Sequence, residues 1–279
     1  MGTNKDHLIS LWDNYKKKNL NSFSMIASEN VISPLAALAI SSDFHNRYFF
    51  DFEIKWGKEA FAGSRILKEI QREILTPLLK RYTKANYVNV QPLSGLHCML
   101  IVMFTYCKPG DIIFSIAPAM GGHPCTQDVA KRIQAKNILI PYLNCYEIDY
   151  PKLENELLKH KPKLIYIDQA DCLFPIDIGK ISKLIKDISP ETYLHVDSSH
   201  TNGLILGNVL PNPIDLGATS FGGSTHKTFP GPQKAFIATS NEKISESIEN
   251  ATMHLVSNCH TGNVIALCIA LIEFDECDG

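Results

Sequence analysis

Hydrophobic residues recur with two different periods along the chain. In residues 7–19, 34–45 and 59–82 they fall at helical spacing, and Ile66, Ile70 and Ile74 in the last segment stand four residues apart. Farther on, β-rich runs at residues 111–115, 137–141, 163–168, 192–197 and 235–239 are separated by helical patterns at 124–135, 150–159 and 177–188. This alternation predicts an α/β fold, in which helices cover a mainly parallel sheet.

The pattern continues without an internal repeat or a linker rich in proline, glycine and serine. We therefore expect one large domain at residues 51–279, preceded by an N-terminal helical arm at residues 1–50. A last helical stretch, residues 259–274, leads into an acidic end that is typical of a domain edge or a truncation.

Composition narrows the class of protein. Hydrophobic residues make up 45% of the chain, which suffices for a substantial core, and the 27 basic and 29 acidic residues nearly cancel. Without a strong net charge the chain has no field that favours nucleic acid or anionic lipid, so we expect neither partner. The charged N-terminal segment lacks an apolar signal core, and no stretch of about 18 residues is apolar throughout, which predicts a cytoplasmic protein.

Eight cysteines are scattered along the chain without a C-x-x-C pair, so we expect them to be reduced. Cys259, His260 and the upstream His254 could be drawn as metal ligands. A tetrahedral set of four ligands is not evident, however, and no metal is expected.

Two of the predicted strands end in an acidic residue, Asp168 and Asp197. In open α/β sheets the ligand lies beyond the carboxyl ends of the strands. Both carboxyl groups are therefore expected to face the binding site.

A glycine- and hydroxyl-rich segment, residues 222–232, contains the lysine Lys227. We interpret this segment as a turn that places a phosphate cradle beside an amine. A nucleotide-binding P-loop requires glycine directly before the lysine, and His226 stands there instead. The remaining alternative is an ordinary surface lysine in a loop.

Six short motifs in chain order carry a resemblance to a known family, at residues 26–30, 91–95, 109–111, 121–123, 196–205 and 225–232. From Ile26 to Phe274 the sequence resembles serine hydroxymethyltransferase and its relatives, including the threonine transaldolases, within the fold-type I pyridoxal phosphate enzymes. The resemblance implies a three-layer α/β/α large domain with a mainly parallel sheet. The small C-terminal domain usual in the family has no counterpart among the 279 residues.

By this resemblance, Lys227 forms the Schiff base with pyridoxal 5'-phosphate, and its amine can afterwards shuttle protons. Asp197 pairs with the pyridine nitrogen and keeps it protonated, although a turn or helix-capping aspartate is the alternative. His123 resembles the imidazole that stacks on the ring, and His200 the residue near its phenolic oxygen. Either histidine could instead be a hydrogen-bonded loop residue.

The resemblance assigns the cofactor phosphate to Ser94 and Gly95, completed by Ser224 and His226. Ser94 and Gly95 open a predicted helix after a strand at residues 87–90, where backbone N–H groups and the helix dipole favour an anion. A plain serine N-cap uses the same unpaired donors, so both interpretations of Ser94 can hold.

Three further residues are assigned to the site by the resemblance alone. Ser28 and Glu29 fall in the segment that touches substrate in the family. Tyr48 matches the tyrosine that reaches the cofactor of the neighbouring subunit, which implies a homodimer with shared sites.

The sequence also departs from the folate-using enzymes. Phe50 replaces a glutamate that serves one-carbon chemistry, Gln233 replaces an arginine, and Leu96 replaces a small polar residue of the phosphate loop. Use of folate is therefore doubtful, and residues 229–234, 168–170 and 257–260 look closer to threonine transaldolases.

The family's C-terminal domain supplies an arginine for the substrate carboxylate, and that residue has no counterpart here. Lys234, Arg47, Arg65 or a separate polypeptide are the alternatives.

The predicted activity is pyridoxal phosphate-dependent cleavage or formation of the Cα–Cβ bond of a β-hydroxy amino acid or glycine. The protein would act as a transaldolase, aldolase or hydroxymethyltransferase, and as a transaldolase it would also take an aldehyde acceptor. Two alternatives stay open: a half-enzyme or non-catalytic subunit that works with a partner chain, and a fold-type I aminotransferase or desulfurase.

Overall fold

The computed structural model describes residues 3–48 and 65–277, and these contain a seven-stranded sheet. The strands are β1 Tyr87–Asn89, β2 Ile112–Ser115, β3 Lys136–Leu139, β4 Leu164–Asp168, β5 Tyr193–Asp197, β6 Ser220–Ser224 and β7 Ala235–Thr239. Their spatial order is β1-β7-β6-β5-β4-β2-β3. Neighbours from β3 to β6 run parallel, and β7 is antiparallel to both β6 and β1. The prediction of a mainly parallel sheet is confirmed.

Helices connect and cover the strands. They are α1 Asn4–Leu20, α2 Pro34–Ile40, α3 Arg65–Ile70, α4 Thr76–Thr83, α5 Gly95–Tyr106, α6 Thr126–Arg132, α7 Tyr150–His160, α8 Ile178–Ile188, α9 Asn202–Leu206, α10 Glu242–Leu255 and α11 Thr261–Glu276. In the sheet centre α5 packs on β5, β6 and β7, while α6 contacts β2 and β3. None of the described helices is long and apolar enough to cross a bilayer.

The periodic pattern of α8 illustrates why these helices form where they do. Asp177 accepts a hydrogen bond from the Lys180 backbone N–H and caps the helix start. Ile178, Ile181 and Ile185 then recur on one face and are buried. Burial of each aliphatic side chain stabilises the fold by about 1.5–3 kcal/mol.

Two predicted helices are divided in the structure. The segment predicted as one helix at residues 34–45 ends at Ile40, and a 3-10 turn follows at Asp43–Asn46. The described part of the 59–82 prediction contains a π-helical stretch at Gln71–Leu75. Pro77 follows this stretch, and its ring removes a backbone donor that a continuous α-helix would use. The spacing of hydrophobic residues alone does not predict such interruptions of a helix.

One interpretation of the glycine-rich segment was wrong. Residues 222–224, which we assigned to a turn, belong to β6, and all five residues of this strand are buried. The turn that carries Lys227 begins after Ser224. Because glycine is depleted in strands, the two glycines of β6 gave no indication of a strand in the sequence.

The first fifty residues divide into an exposed helix and a packed one. Thr3 and Asp6 form a reciprocal capping box at the start of α1, yet α1 has no buried residue. By contrast, Ala36 and Ala39 of α2 form a small buried cluster with Ala266 of α11. Part of the predicted arm therefore rests on the body of the fold.

Candidate active site

A cavity lies where β4 and β5 end, next to the start of α5. Asp168 and Asp197 are the last residues of these strands and are paired in the sheet register. The described residues that line the cavity are Gly95, Leu96, Met99, His123, Asp168, Gln169, Ala170, Asp197, Ser199, His200 and Lys227. Parallel strands point their carboxyl ends to one edge, so residues far apart in sequence converge there.

Lys227 lies in this cavity within hydrogen-bond distance of a histidine. Its Nζ is 3.0 Å from Nε2 of His200. Partial burial lowers the pKa of Lys227, while Asp197 and Asp171 oppose that effect. Burial, followed by the nearby lysine, also lowers the pKa of His200. The arrangement favours a neutral imidazole beside the amine and increases the fraction of amine that is unprotonated and nucleophilic.

Asp197 is held by hydrogen bonds to both oxygens. Its Oδ2 accepts from the Tyr166 hydroxyl at 2.8 Å, and its Oδ1 accepts from the Ser199 backbone N–H at 3.0 Å and hydroxyl at 2.6 Å. The contact with the N–H two residues on is typical of a turn aspartate. Asp197 therefore has this local role and also lines the cavity.

Gly223 of β6 leaves room for this arrangement. Its φ is +139°, and a Cβ added there would lie 2.3 Å from Oγ of Ser199 and 2.7 Å from Oδ1 of Asp197. The missing side chain is what lets Asp197 and Ser199 pack directly against the strand.

A column of buried polar groups lies below Asp197. The rings of Tyr166 and His195 stack with centroids 5.2 Å apart, and Nδ1 of His195 is 2.8 Å from Oγ of Ser220. That hydroxyl is also 2.7 Å from the Tyr106 hydroxyl. Complete burial lowers the pKa of His195 to about 4, so the imidazole is neutral near pH 7.

His123 is positioned by the close turn that follows β2. A Cβ at Gly122 would lie 2.4 Å from the carbonyl oxygen of Ile116, so this turn requires glycine. The His123 backbone N–H donates to Oδ2 of Asp168 at 3.0 Å, and its Nδ1 accepts from the Cys125 N–H at 3.2 Å. Partial burial lowers the pKa of His123, and Asp197 opposes this effect.

Three of the residues assigned to a phosphate, Ser94, Gly95 and Ser224, meet at the start of α5. Ser94 caps the helix and accepts from the His97 N–H at 3.3 Å, as the N-cap interpretation predicted. A Cβ at Gly95 would lie 3.3 Å from Cβ of Ser224. Among the described residues, the buried Ser224 hydroxyl and Nδ1 of His226 have no hydrogen-bond partner. A buried hydroxyl of this kind next to a helix N-terminus suits an anionic ligand.

The remaining predicted residues lie outside the cavity lining. Ser28 is half-buried, Glu29 is exposed and accepts from the Ser24 hydroxyl at 2.7 Å, and Tyr48 is 48% exposed. Asn30 was not among the site residues predicted from the sequence, and its Nδ2 donates to the Lys227 carbonyl at 2.7 Å. This bond brings the segment of Ser28 and Glu29 to the lysine turn, and the motif at residues 26–30 was the signal for it.

The candidate cations for a substrate carboxylate do not meet in the cavity. Arg47 is paired with Asp43. Lys234 is completely buried and donates to the carbonyls of Gln91 at 3.2 Å and Cys259 at 2.8 Å. Neither these two nor Arg65 is among the described residues of the lining. In residues 3–48 and 65–277 no cluster of three or more potential ligands is placed to hold a metal ion.

The burial of Lys234 predicts an alkaline gain in stability. Burial lowers its pKa from 10.5 to about 8. Between these values the unfolded chain binds a proton that the folded chain lacks, so the free energy of unfolding rises with pH, by up to about 3 kcal/mol. Methionine does not titrate, so we expect the Lys234→Met variant to lack this rise in urea denaturation between about pH 8 and pH 10.

Lys84→Met is a matched control, because the Lys84 amine lies at the surface beside Asp215. This control is expected to keep the wild-type pH dependence. If the wild-type and Lys234→Met curves run parallel, the inferred cost of burying the Lys234 charge is wrong.

The fold and this convergence of side chains agree with a comparison to protein families. A family model described as serine hydroxymethyltransferase matches residues 2–260. The chain belongs to the serine hydroxymethyltransferase family. The family depends on pyridoxal phosphate, and the α/β fold predicted for fold-type I enzymes is confirmed.

Individual relatives are transaldolases and hydroxymethyltransferases. An L-threonine:uridine-5'-aldehyde transaldolase from a Streptomyces species is 38% identical over 260 residues, which cover 93% of this chain and 63% of that protein. A serine hydroxymethyltransferase from Pyrobaculum arsenaticum is 31% identical over 273 residues, covering 96% of this chain and 62% of the relative.

A solved structure supports the same relationship. The crystal structure of L-threonine transaldolase from Pseudomonas fluorescens in the internal aldimine state matches with a TM-score of 0.88 and 27% identity. The match covers 97% of this chain and 62% of that chain. The protein thus spans less than two thirds of the length of these relatives.

The residues present fit pyridoxal phosphate. An amine, two carboxylates and two imidazoles line one cavity. The buried Ser224 hydroxyl lies beside Gly95, which lines the same cavity. These are the groups that a phosphorylated pyridine aldehyde can engage.

Proposed function

We propose that this protein binds pyridoxal 5'-phosphate as a Schiff base on Lys227 and cleaves or forms the Cα–Cβ bond of a β-hydroxy amino acid. The observation that carries the proposal is the convergence of Lys227, His200, His123 and Asp197 in one cavity at the carboxyl edge of the sheet. Relatives with transaldolase and hydroxymethyltransferase names support it.

Lys227 supplies the amine that links the cofactor to the protein. Its lowered pKa favours the nucleophilic form, and the His200 Nε2 at 3.0 Å can accept or return a proton at Nζ. Once the substrate amine has replaced it, the Lys227 amine is free to move a proton at the substrate.

Asp197 is proposed to hold the pyridine nitrogen, with His123 stacked on the ring. The cofactor, when bound with a protonated ring, withdraws the electrons of the bond that breaks. The hydrogen bonds from Tyr166 and Ser199 fix the Asp197 carboxylate for this contact. The close turn at Gly122 likewise fixes His123.

Ser94, Gly95, Ser224 and His226 are proposed to bind the phosphate. The first-turn N–H groups of α5 would donate to it, and the helix dipole favours the negative charge. The unpartnered Ser224 hydroxyl and His226 Nδ1 support this role.

We propose a homodimer in which Tyr48 serves the site of the neighbouring subunit and Ser28 and Glu29 contact substrate. The exposed position of Tyr48 supports this proposal, as does α1, which exposes Trp12 and Leu11 to solvent. A cation for the substrate carboxylate, from a further segment or a partner chain, belongs to the same proposal.

Among the activities of the family we favour a folate-free transaldolase. The threonine transaldolase relatives support it, and so does the exposed glutamine Gln233. Phe50 lies outside the described residues. The relatives reported above include no aminotransferase, and the aldehyde acceptor is left open.

The experiment is to incubate the purified protein with pyridoxal phosphate and L-threonine and to measure acetaldehyde release. We expect visible absorbance from bound cofactor and release of acetaldehyde with formation of glycine. L-alanine has no β-hydroxyl group, so it should yield no aldehyde.

Two outcomes contradict the proposal in different ways. Absence of bound-cofactor absorbance would show that Lys227 does not hold the cofactor. Accumulation of a 2-oxo acid in place of acetaldehyde would favour an aminotransferase.

A further inference from the structure

Asp168 is a buried acid in the cavity that the proposed function leaves without a role. Its side chain is 1% exposed and ends β4 directly beside Asp197. Within residues 3–48 and 65–277, no lysine or arginine forms a salt bridge with it. A buried carboxylate without a cation costs stability, so a reason for its presence is required.

The two oxygens of Asp168 differ in what they contact. Oδ2 accepts from the His123 backbone N–H at 3.0 Å and from the Thr126 hydroxyl. Oδ1 is buried and has no hydrogen-bond partner in the part of the chain that the structure describes. One oxygen thus anchors the turn that carries His123, while the other leaves its charge uncompensated near Asp197.

We propose that Asp168 is a positioning residue of the cofactor site, which holds the His123 turn and places a second carboxylate beside Asp197. The inference rests on the proposed function. When ionised, Asp168 strengthens the negative potential at the pyridine end of the site and favours a protonated ring there. The residues proposed to bind the phosphate lie on other elements, at the start of α5 and the end of β6.

The ionisation of Asp168 falls in the neutral range. Burial raises its pKa to about 7, the Thr126 hydroxyl opposes this effect, and Asp197 adds to it. The second carboxylate is therefore neutral at pH 6 and largely charged at pH 8. The titratable groups that face Asp168 are Asp197 on β5, Tyr166 on its own strand, His123 before α6, Tyr142 after β3 and Cys172 in the following loop.

The test compares cofactor dissociation constants of the full-length wild-type protein and Asp168→Asn at pH 6 and pH 8. Asparagine retains an oxygen that can accept from His123 but carries no charge. We expect the variant to bind pyridoxal phosphate about tenfold more weakly at pH 8 and nearly as well as the wild type at pH 6. If Asp168 made only a structural contact, the ratio of the variant's dissociation constant to that of the wild type would be the same at pH 6 and pH 8.

Asp187→Asn is the control, because Asp187 is an exposed acid of α8 and is not among the described residues that line the cavity. Solvent screens its charge from the cofactor site, so this variant should keep the wild-type dissociation constant at both pH values. Thr126→Val is a second variant, which removes a donor that favours the ionised carboxyl. It should move the pH dependence of binding to higher pH.

A measurement without cofactor completes the design. Because it lacks the buried charge, Asp168→Asn should have a higher free energy of unfolding than the wild type. This difference should be larger at pH 8 than at pH 6. The inference about Asp168 is wrong if the ratio of variant to wild-type dissociation constants is the same at pH 6 and pH 8 for both Asp168→Asn and Thr126→Val. If the wild type still binds cofactor on Lys227 in that case, the proposed function is unaffected. A wild-type protein that never binds cofactor overturns the proposed function as well.

Discussion

Replacing Lys227 by alanine is expected to abolish covalent attachment of pyridoxal phosphate and to reduce Cα–Cβ cleavage by about three orders of magnitude or more. The amine is the nucleophile of the proposed site, and no other lysine is among the described residues of the lining. Borohydride reduction followed by peptide mass spectrometry should find a pyridoxyl adduct on Lys227 in the wild type.

Lys227→Arg separates charge from nucleophilicity, because arginine keeps the positive charge but stays protonated. We expect this variant to lack the adduct as well. An adduct on another lysine of the wild-type protein would contradict the assignment of Lys227.

Replacing Asp197 by asparagine is expected to lower the turnover number by about a hundredfold or more. The neutral amide cannot keep the pyridine nitrogen protonated, and its NH₂ group must face a donor from either Tyr166 or Ser199. Steady-state kinetics with L-threonine measures the loss, and a cofactor titration separates it from weaker binding.

Tyr166→Phe is the control for the carboxylate itself. It removes the hydroxyl that donates to Oδ2 and leaves the charge of Asp197 in place. We expect a loss of about tenfold or less. If Asp197→Asn has no larger effect than Tyr166→Phe, the charge of Asp197 is not needed.

Much of the fold follows from local hydrophobic patterns. The runs at β4 and β7 are mostly apolar and all their residues are buried, as expected for strands covered on both faces, and β-branched residues favour strands. By contrast, β6 with the sequence Ser-Phe-Gly-Gly-Ser is a strand only because Phe221 and its neighbours pack between β5 and β7. Tertiary pairing of this kind leaves no periodic signal in the segment itself.

The site divides in a similar way. The order of motifs predicted the residues that meet in the cavity, including Lys227, Asp197, His123 and His200. Two contacts were not predicted: Ser199 links the Asp197 carboxylate to the Ser224 N–H, and Asp168 anchors His123. These contacts depend on side-chain directions across neighbouring elements, which residue types alone do not determine.

The glycine at position 223 has a consequence for engineering this protein by directed evolution. Every side chain introduced there would meet Ser199 and Asp197, so a mutant library that includes Gly223 would consist largely of inactive clones. Leu96 and Gln169 line the same cavity from positions outside the core and tolerate variation better. Screening effort for an altered substrate range is best placed at those two positions.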